Sequence, residues 1–258
     1  MNNNEKAAKY AAVFEAVDRR LQEAGIIPVF FTLYGSQNYE IDTVESDFVF
    51  YVAAETSFED FVYMRSALST KLNYEYGEIV VKDIREAFKQ FKKGAFNALE
   101  VLSADTILCI NPKYEEELAR LYALKDRISV IDPHTTIRSL IGAAGHSCDG
   151  DIGPKKTARV LQFANQLSSY CNTISVSPDA VNWNEIMRSK AIFSRDFILD
   201  IKTNTFSKEY LSILAQNQFN FLHSFGTDFL RNYTNKEKTE LIAEIDNILM
   251  DICRKKSW

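Results

Sequence analysis

Hydrophobic periodicity changes once along this sequence, near Asn111 and Pro112. Before that point, strand-like alternation of apolar residues is mixed with helical spacing, whereas after it the helical spacing dominates. The change predicts an α/β (α+β) fold class, with a mixed domain at 1–125 and a helical domain at 126–258. The helical patterns after the change cover 114–124, 134–145, 154–172, 183–202, 207–232 and 235–255.

Local patterns predict the elements of the first part of the chain. Residues 5–24 carry apolar side chains at helical spacing, and Gly25 follows as a helix stop. The segment 47–52 alternates, with Phe48, Phe50 and Val52 on the face that should join the core. The other predicted elements are a strand at 29–34, a helix at 58–72, a strand at 78–82 and a helix from Ile84.

Composition and charge limit the classes of protein that fit. A hydrophobic content of 46% in 258 residues indicates a folded core, and the net charge of −5 gives no overall attraction to nucleic acid. Two basic clusters could still form a local groove that binds nucleic acid, and the alternative is that they are ordinary solvated helix faces. These clusters are Lys89, Lys92 and Lys93, and Lys155, Lys156 and Arg159.

The sequence carries no apolar run long enough for a membrane span, and its first residues are polar rather than signal-like. We therefore expect a cytoplasmic protein with no membrane association. Its cysteines are scattered without a Cys-x-x-Cys pair, so we expect free thiols rather than disulfides or a zinc site. They are Cys109, Cys148, Cys171 and Cys253.

The segment after the first predicted strand carries the most informative motif. Gly35 and Ser36 follow the strand, and after ten intervening residues Asp47 begins the next one. A residue without Cβ lets the backbone approach a polyphosphate, and the Ser hydroxyl and main-chain N–H groups can donate to it. A plain turn in which Ser36 caps a helix is the alternative interpretation.

This arrangement resembles the signature of the DNA polymerase β-type nucleotidyltransferase superfamily, which ends in Asp-x-Asp or Asp-x-Glu. Glu78 resembles the third catalytic carboxylate of that family. The segment 93–100 is similar to a Gly-Asn-Pro-Asn-x-x-Glu segment of a predicted nucleotidyltransferase subgroup of bacteria and phages, and 142–146 and 155–159 resemble its helical second domain. The resemblance covers about 29–172.

The resemblance implies a small mixed sheet flanked by helices, and a transfer of nucleoside monophosphate from a triphosphate to RNA, protein or a small molecule. It implies that Asp47 and Glu78 are catalytic and hold Mg²⁺ or Mn²⁺, the ions that clamp the reacting oxygens in such a transfer. The residues that it implies for nucleotide binding are Gly35, Ser36, Asn38, Lys155 and Arg159.

The second acid of the motif is replaced by Val49, which cannot ligate a metal ion. One alternative is therefore a pseudoenzyme that binds nucleotide or nucleic acid, or that contacts other proteins, for example as a phage regulatory or counter-defence factor. Another is an active enzyme in which Val49 is a single substitution. Each candidate residue also has a structural alternative. Asp47 can be an exposed strand carboxylate, Glu78 a turn residue, and Asn97 and Glu100 capping groups.

Overall fold

The computed structural model describes residues 3–43, 46–57, 62–63, 68–104, 107–234 and 238–255, with only the backbone course for 3–9 and 107–109. Five strands form one sheet in the order β3-β4-β2-β1-β5. β2 is antiparallel to β1 and parallel to β4, and the edge strands β3 and β5 are antiparallel to their neighbours. The strands are β1 Pro28–Tyr34, β2 Phe48–Ala54, β3 Ser69–Tyr74, β4 Gly77–Asp83 and β5 Ile107–Ile110.

Helix α1, Asn3–Glu23, covers one face of the sheet. Its buried residues Val13, Val17 and Leu21 pack against Phe48 and Phe50 within one apolar cluster. The helix ends before Gly25, which has the positive φ of 66° that glycine tolerates best. The predicted first helix and the predicted core face of β2 are thus confirmed.

The other face of the sheet packs against the remaining helices. Pro154–Val176 is central among them, with Leu161, Ala164 and Leu167 fully buried. Together with the sheet, these helices confirm the predicted α+β class. They are α2 Ile84–Lys92, α3 Phe96–Leu102, α4 Glu115–Ala123, α5 Lys125–Ile128, α6 Pro133–Cys148, α7 Pro154–Val176, α8 Trp183–Met187, α9 Arg195–Thr203, α10 Lys208–Asn232 and α11 Thr239–Lys255.

The hydrophobic core on this second face runs without interruption from the sheet into the helical part. The last helix, α11, returns to α2 and α4, where Lys92 Nζ lies 2.6 Å from Asp246 Oδ1 and Lys255 Nζ lies 2.7 Å from Glu117 Oε1. The two predicted parts therefore share one core. Their independence as folding units, 1–125 and 126–258, stays a prediction.

The predicted helix at 58–72 is wrong over its last residues. Residues 58–61 and 64–67 lie outside those that the structure describes, and Ser69–Tyr74 is the edge strand β3. Its side chains alternate between exposed and half-buried, and after a turn at Glu75 and Tyr76 it pairs antiparallel with β4. The alternation of exposed and half-buried side chains is typical of an edge strand, and the helical spacing of the apolar residues further upstream does not continue into it.

The predicted helix at 183–202 is interrupted between α8 and α9. Asn165, fully buried on α7, accepts hydrogen bonds from the N–H groups of Ile192 (2.9 Å) and Phe193 (2.8 Å) and donates to the Phe193 carbonyl (2.9 Å). These bonds satisfy backbone groups that a continuous helix would pair internally. Ser194 then caps α9 by accepting from the Phe197 N–H.

No helix within the described ranges is both long and apolar enough to cross a membrane. Three of the four cysteines, Cys148, Cys171 and Cys253, are free thiols, as predicted. The Cys109 side chain is not among those described.

Candidate functional site

The turn after β1 has a fixed backbone. Gly35 has a φ of 85° and opens a short 3₁₀ turn, Gly35–Gln37, that also contains Ser36. Asn38 closes it: its N–H donates to the Gly35 carbonyl at 2.9 Å, and its side-chain amide donates to the Leu33 carbonyl at 3.1 Å. Because Asn38 is buried and committed to these bonds, it supports the turn from inside, whereas the resemblance implied a contact with nucleotide.

A buried glutamate lies beneath this turn. The N–H of Gly35 donates to Glu100 Oε1 at 2.9 Å, and the hydroxyls of Tyr34 and Tyr39 also donate to the Glu100 carboxyl group. Glu100 lies on α3 and is 1% exposed. Its hydrogen bonds are to the turn itself, so Glu100 supports the Gly35 backbone from below.

Burial raises the pKa of Glu100 from 4.5 to about 7, because a charged carboxylate loses hydration in the interior. The hydrogen bonds from Tyr39, Gly35 and Tyr34 and the positive charge of Arg159 oppose the shift without cancelling it. Arg159 lies on the first turns of α7 and is itself exposed. The predicted nucleotide-binding residue Arg159 thus acts electrostatically on Glu100, which in turn supports the predicted nucleotide-binding residue Gly35.

Asp47 and Lys155 come together at the same end of the sheet. The register pairs Tyr34 with Val49, so the end of β1 and the residues just before β2 are neighbours. Lys155 Nζ lies 3.6 Å from Asp47 Oδ2, and both side chains are about two-thirds exposed, at 66% and 68%. The predicted site residues of α7 therefore face the predicted site residues of the sheet.

Lys202 on α9 completes this group, and sequence reasoning missed it. Its Nζ donates to the Ile41 carbonyl at 2.6 Å and to Ser46 Oγ at 3.1 Å. Partial burial lowers the pKa of Lys202, with Asp42 opposing and the nearby charges of Lys155 and Arg159 adding to the decrease. The only signal in the sequence was a basic residue in the last turn of a helix, which is too common to single out.

Two arginines, Arg188 and Arg195, form ion pairs with Glu40 in the loop between β1 and β2. Glu40 has a positive φ of 56°, and its carboxylate lies 3.3 Å from Arg188 Nε and 3.3 Å from Arg195 Nη1. Arg195 begins α9, and Arg188 follows α8 directly. The ion pairs hold the loop between β1 and β2 against the segment that Asn165 keeps out of helical conformation.

Glu78 lies on the same face of the sheet as Val49, because the parallel register of β2 and β4 pairs these two residues. Its carboxylate is 2.9 Å from Lys71 Nζ on the edge strand β3. Asp47 and Glu78, the two predicted metal ligands, are therefore each paired with a different lysine.

Among the described residues, this group offers a magnesium or manganese ion fewer carboxylates than the resemblance implies. Such ions need several oxygen ligands at near-octahedral geometry, usually with at least one or two carboxylates directed at the ion. Val49 occupies the position of the second acid, and no group of three or more His, Cys, Asp or Glu residues forms a candidate metal site within the described parts of the chain. We therefore derive no step through a metal ion.

The other basic and polar candidates lie outside this group. Lys156, next to Lys155, donates to the Asp149 carbonyl, and His146 is exposed beside Asp149 at 3.4 Å. In the first basic cluster, Lys89 pairs with Glu86 and Lys92 pairs with Asp246 on helix faces.

Comparison with known proteins gives no match that bears on this site. No protein-family model matches the chain, and no curated protein is similar to it. We use the name basic cleft for one group of residues, namely the Gly35–Ser36 turn, Asp47 and the three cations Lys155, Arg159 and Lys202. A cavity among the described residues lies elsewhere, lined by Phe225, Phe229 and Tyr233.

Proposed function

We propose that this protein binds a nucleoside triphosphate in the basic cleft, with the phosphates held by side chains rather than by a metal ion. The observation that carries the proposal is the convergence of three cations from two helices on the loop that follows β1. Lys155 Nζ lies near Asp47, Lys202 donates to Ser46, and the charge of Arg159 acts on the buried Glu100.

The chemistry of these groups matches a polyphosphate. A lysine ammonium is a compact point charge, and an arginine guanidinium can donate two parallel hydrogen bonds to one phosphate. Ser36 adds a hydroxyl at the start of a turn whose backbone is already fixed by Glu100 and Asn38. The resemblance of Gly35, Ser36 and Asp47 to the nucleotidyltransferase signature supports the same location.

The local charge predicts moderate affinity. Two further cations, Arg188 and Arg195, are committed to Glu40, and the carboxylates Asp42, Asp47 and Glu100 offset much of the remaining positive charge. A ligand must displace Lys155 from Asp47, which is a weak exposed ion pair. We expect a Kd on the order of 10⁻⁵ to 10⁻⁴ M that rises with salt.

The proposal does not include efficient nucleotidyl transfer. Loss of a single well-placed electrostatic donor costs about 10² to 10³ in rate, and Val49 removes a ligand from the place where the resemblance requires one. The protein is therefore proposed as a nucleotidyltransferase-like nucleotide binder. Transfer to RNA, protein or a small molecule is the competing proposal, and a direct assay separates the two.

Binding is measured by isothermal titration calorimetry with each nucleoside triphosphate, once with EDTA and once with Mg²⁺. The expected result is similar affinity in both conditions, and a loss of about tenfold in Lys155→Ala and in Lys202→Ala. Lys156→Ala is the matched control, because it removes the neighbouring charge outside the cleft. Equal losses in Lys156→Ala and Lys155→Ala would show that the cleft is not the site.

Transfer is measured with α-phosphate-labelled triphosphates, Mg²⁺ or Mn²⁺, and total RNA or protein as acceptor. We expect no incorporation by the natural sequence. Metal-dependent incorporation that Asp47→Ala abolishes would replace the binding proposal by the enzyme. A gain of incorporation in Val49→Asp would identify the missing ligand as the reason for inactivity.

A further inference from the structure

We infer that Glu100 is a positioning residue of the basic cleft that holds the Gly35–Ser36 turn and takes up a proton from solvent when a triphosphate binds. The inference rests on the proposed function and deepens it. It says that phosphate affinity depends on a buried carboxyl group that never touches the ligand.

The geometry makes Glu100 the internal support of the turn. Its Oε1 accepts the Gly35 N–H at 2.9 Å, and the hydroxyls of Tyr34 and Tyr39 donate to the same carboxyl group. The Gly35 N–H is therefore committed to Glu100 and does not donate to a phosphate. A side chain that is 1% exposed cannot exchange these partners for water.

Arg159 connects this support with the cations of the cleft. Its charge acts on Glu100 and Tyr39 on the buried side and on Lys202 on the open side. Arg159 is exposed, so a phosphate can reach it. A bound triphosphate neutralises Arg159 and adds negative charge, and both changes disfavour the ionised form of the buried carboxyl group.

The groups that face Glu100 come from several elements. Tyr34 ends β1, with Tyr51 of β2 beside it, Tyr39 lies in the following loop, and Arg159 lies on α7. The other residues of α3 are not titratable. Beyond Arg159 lie the charged groups of the cleft, namely Lys155, Lys202, Asp42 and Asp47.

Among the groups around Glu100, the tyrosines do not titrate near neutral pH. Burial raises the pKa values of Tyr34, Tyr39 and Tyr51 further above 10, so they remain neutral. Glu100, whose pKa is about 7, changes charge in this range. A protonated carboxyl group still accepts the Gly35 N–H through its carbonyl oxygen and donates its own proton to a tyrosine hydroxyl. The turn can thus keep its hydrogen bonds after proton uptake.

The test is calorimetric titration of the natural protein with ATP in EDTA, between pH 7.5 and 8.5. The terminal phosphate of ATP loses its last proton at a pKa of about 6 to 7, so the charge of this ligand is nearly constant in this range. Two buffers with different ionisation enthalpies give the number of protons taken up. We expect net uptake, and an affinity that falls up to about tenfold per pH unit, because only the complex keeps Glu100 protonated.

Glu100→Gln keeps the shape of the side chain and removes its titration. In this variant we expect no proton uptake and a flattened pH profile, whereas the matched control Glu117→Gln keeps both. Glu117 is also a buried glutamate, 3% exposed, and it pairs with Lys255 far from the cleft. If Glu100→Gln does not fold, Tyr39→Phe provides the second variant. Loss of its hydrogen bond should move the proton uptake to higher pH.

The outcomes separate the two proposals. No ATP binding at any pH overturns the proposed function and this inference together. Binding without net proton uptake in the natural protein overturns the inference alone and leaves the cleft as a simple cation site. Uptake that persists unchanged in folded Glu100→Gln assigns the proton to another group, such as Lys202, and also overturns it.

Discussion

The two faces of the sheet differ in how they are built. The face under α1 is an apolar cluster in which Phe31, Phe50 and Val52 meet one amphipathic helix. At one end of the opposite face, the polar residues around Glu100 and Asp47 meet cations from α7 and α9. The cluster on the first face is built from apolar side chains, whereas the second face keeps exposed cations and a buried carboxyl group that a stable core would avoid.

The largest expected effect is on the α1 face. Phe50 is fully buried, with its ring 5.8 Å from Phe14 and 6.0 Å from Phe31, so Phe50→Ala leaves a cavity. We expect the free energy of unfolding to fall by about 3 to 5 kcal/mol, measured by urea denaturation. Phe50→Leu, which fills most of the space, is the control and should lose clearly less. Comparable losses in both variants would mean that the cluster is loosely packed.

The second-largest effect is the decrease in the free energy of unfolding that accompanies ionisation of the buried Glu100. The pKa of Glu100 is 4.5 in the unfolded chain and about 7 in the folded one, so the folded state binds the proton more tightly between these values. The contribution of Glu100 to stability is therefore fully present below pH 4.5 and is lost as the pH rises to 7. From the shift of the pKa, this loss is about 3 kcal/mol.

Urea denaturation across pH 4.5 to 8 measures this loss as the difference between the natural protein and Glu100→Gln. The variant should lack the decrease, and Glu117→Gln should retain it. Parallel pH profiles for the natural protein and Glu100→Gln would show that Glu100 titrates normally and that the face carries no such cost.

Sequence reasoning found the parts of both faces that depend on local pattern. The alternation of Phe48, Phe50 and Val52 identified the core face of β2, and Gly35 with Ser36 identified the turn. The break after α8 was missed because the buried side chain of Asn165 causes it from another helix. Lys202 was missed for the same reason: its position in the cleft depends on how α9 packs after that break.

A smaller effect is expected at Gly35, in the turn that follows β1. Gly35 has a φ of 85°, and a Cβ at this position would meet nothing within 4 Å. Gly35→Ala should therefore cost about 1 to 2 kcal/mol through backbone conformation alone. In Gly77→Ala the added methyl group would also collide with the Phe48 carbonyl, so this variant should lose more in urea denaturation. Equal costs for the two would show that steric collision adds nothing.

The smallest effect on stability is expected where the effect on binding is clear. Lys155 is exposed and pairs with exposed Asp47, so Lys155→Ala should change the free energy of unfolding by less than about 0.5 kcal/mol. Its affinity for triphosphate should still fall about tenfold, because a phosphate replaces Asp47 as the partner of the ammonium group. Asp47→Asn separates attraction from repulsion: it frees Lys155 and removes a negative charge from the cleft, so triphosphate should bind more tightly. Weaker binding in Asp47→Asn would mean that the Asp47 carboxylate itself helps to hold the ligand. Phosphate binding on the second face would then depend on an acidic residue as well as on the three cations.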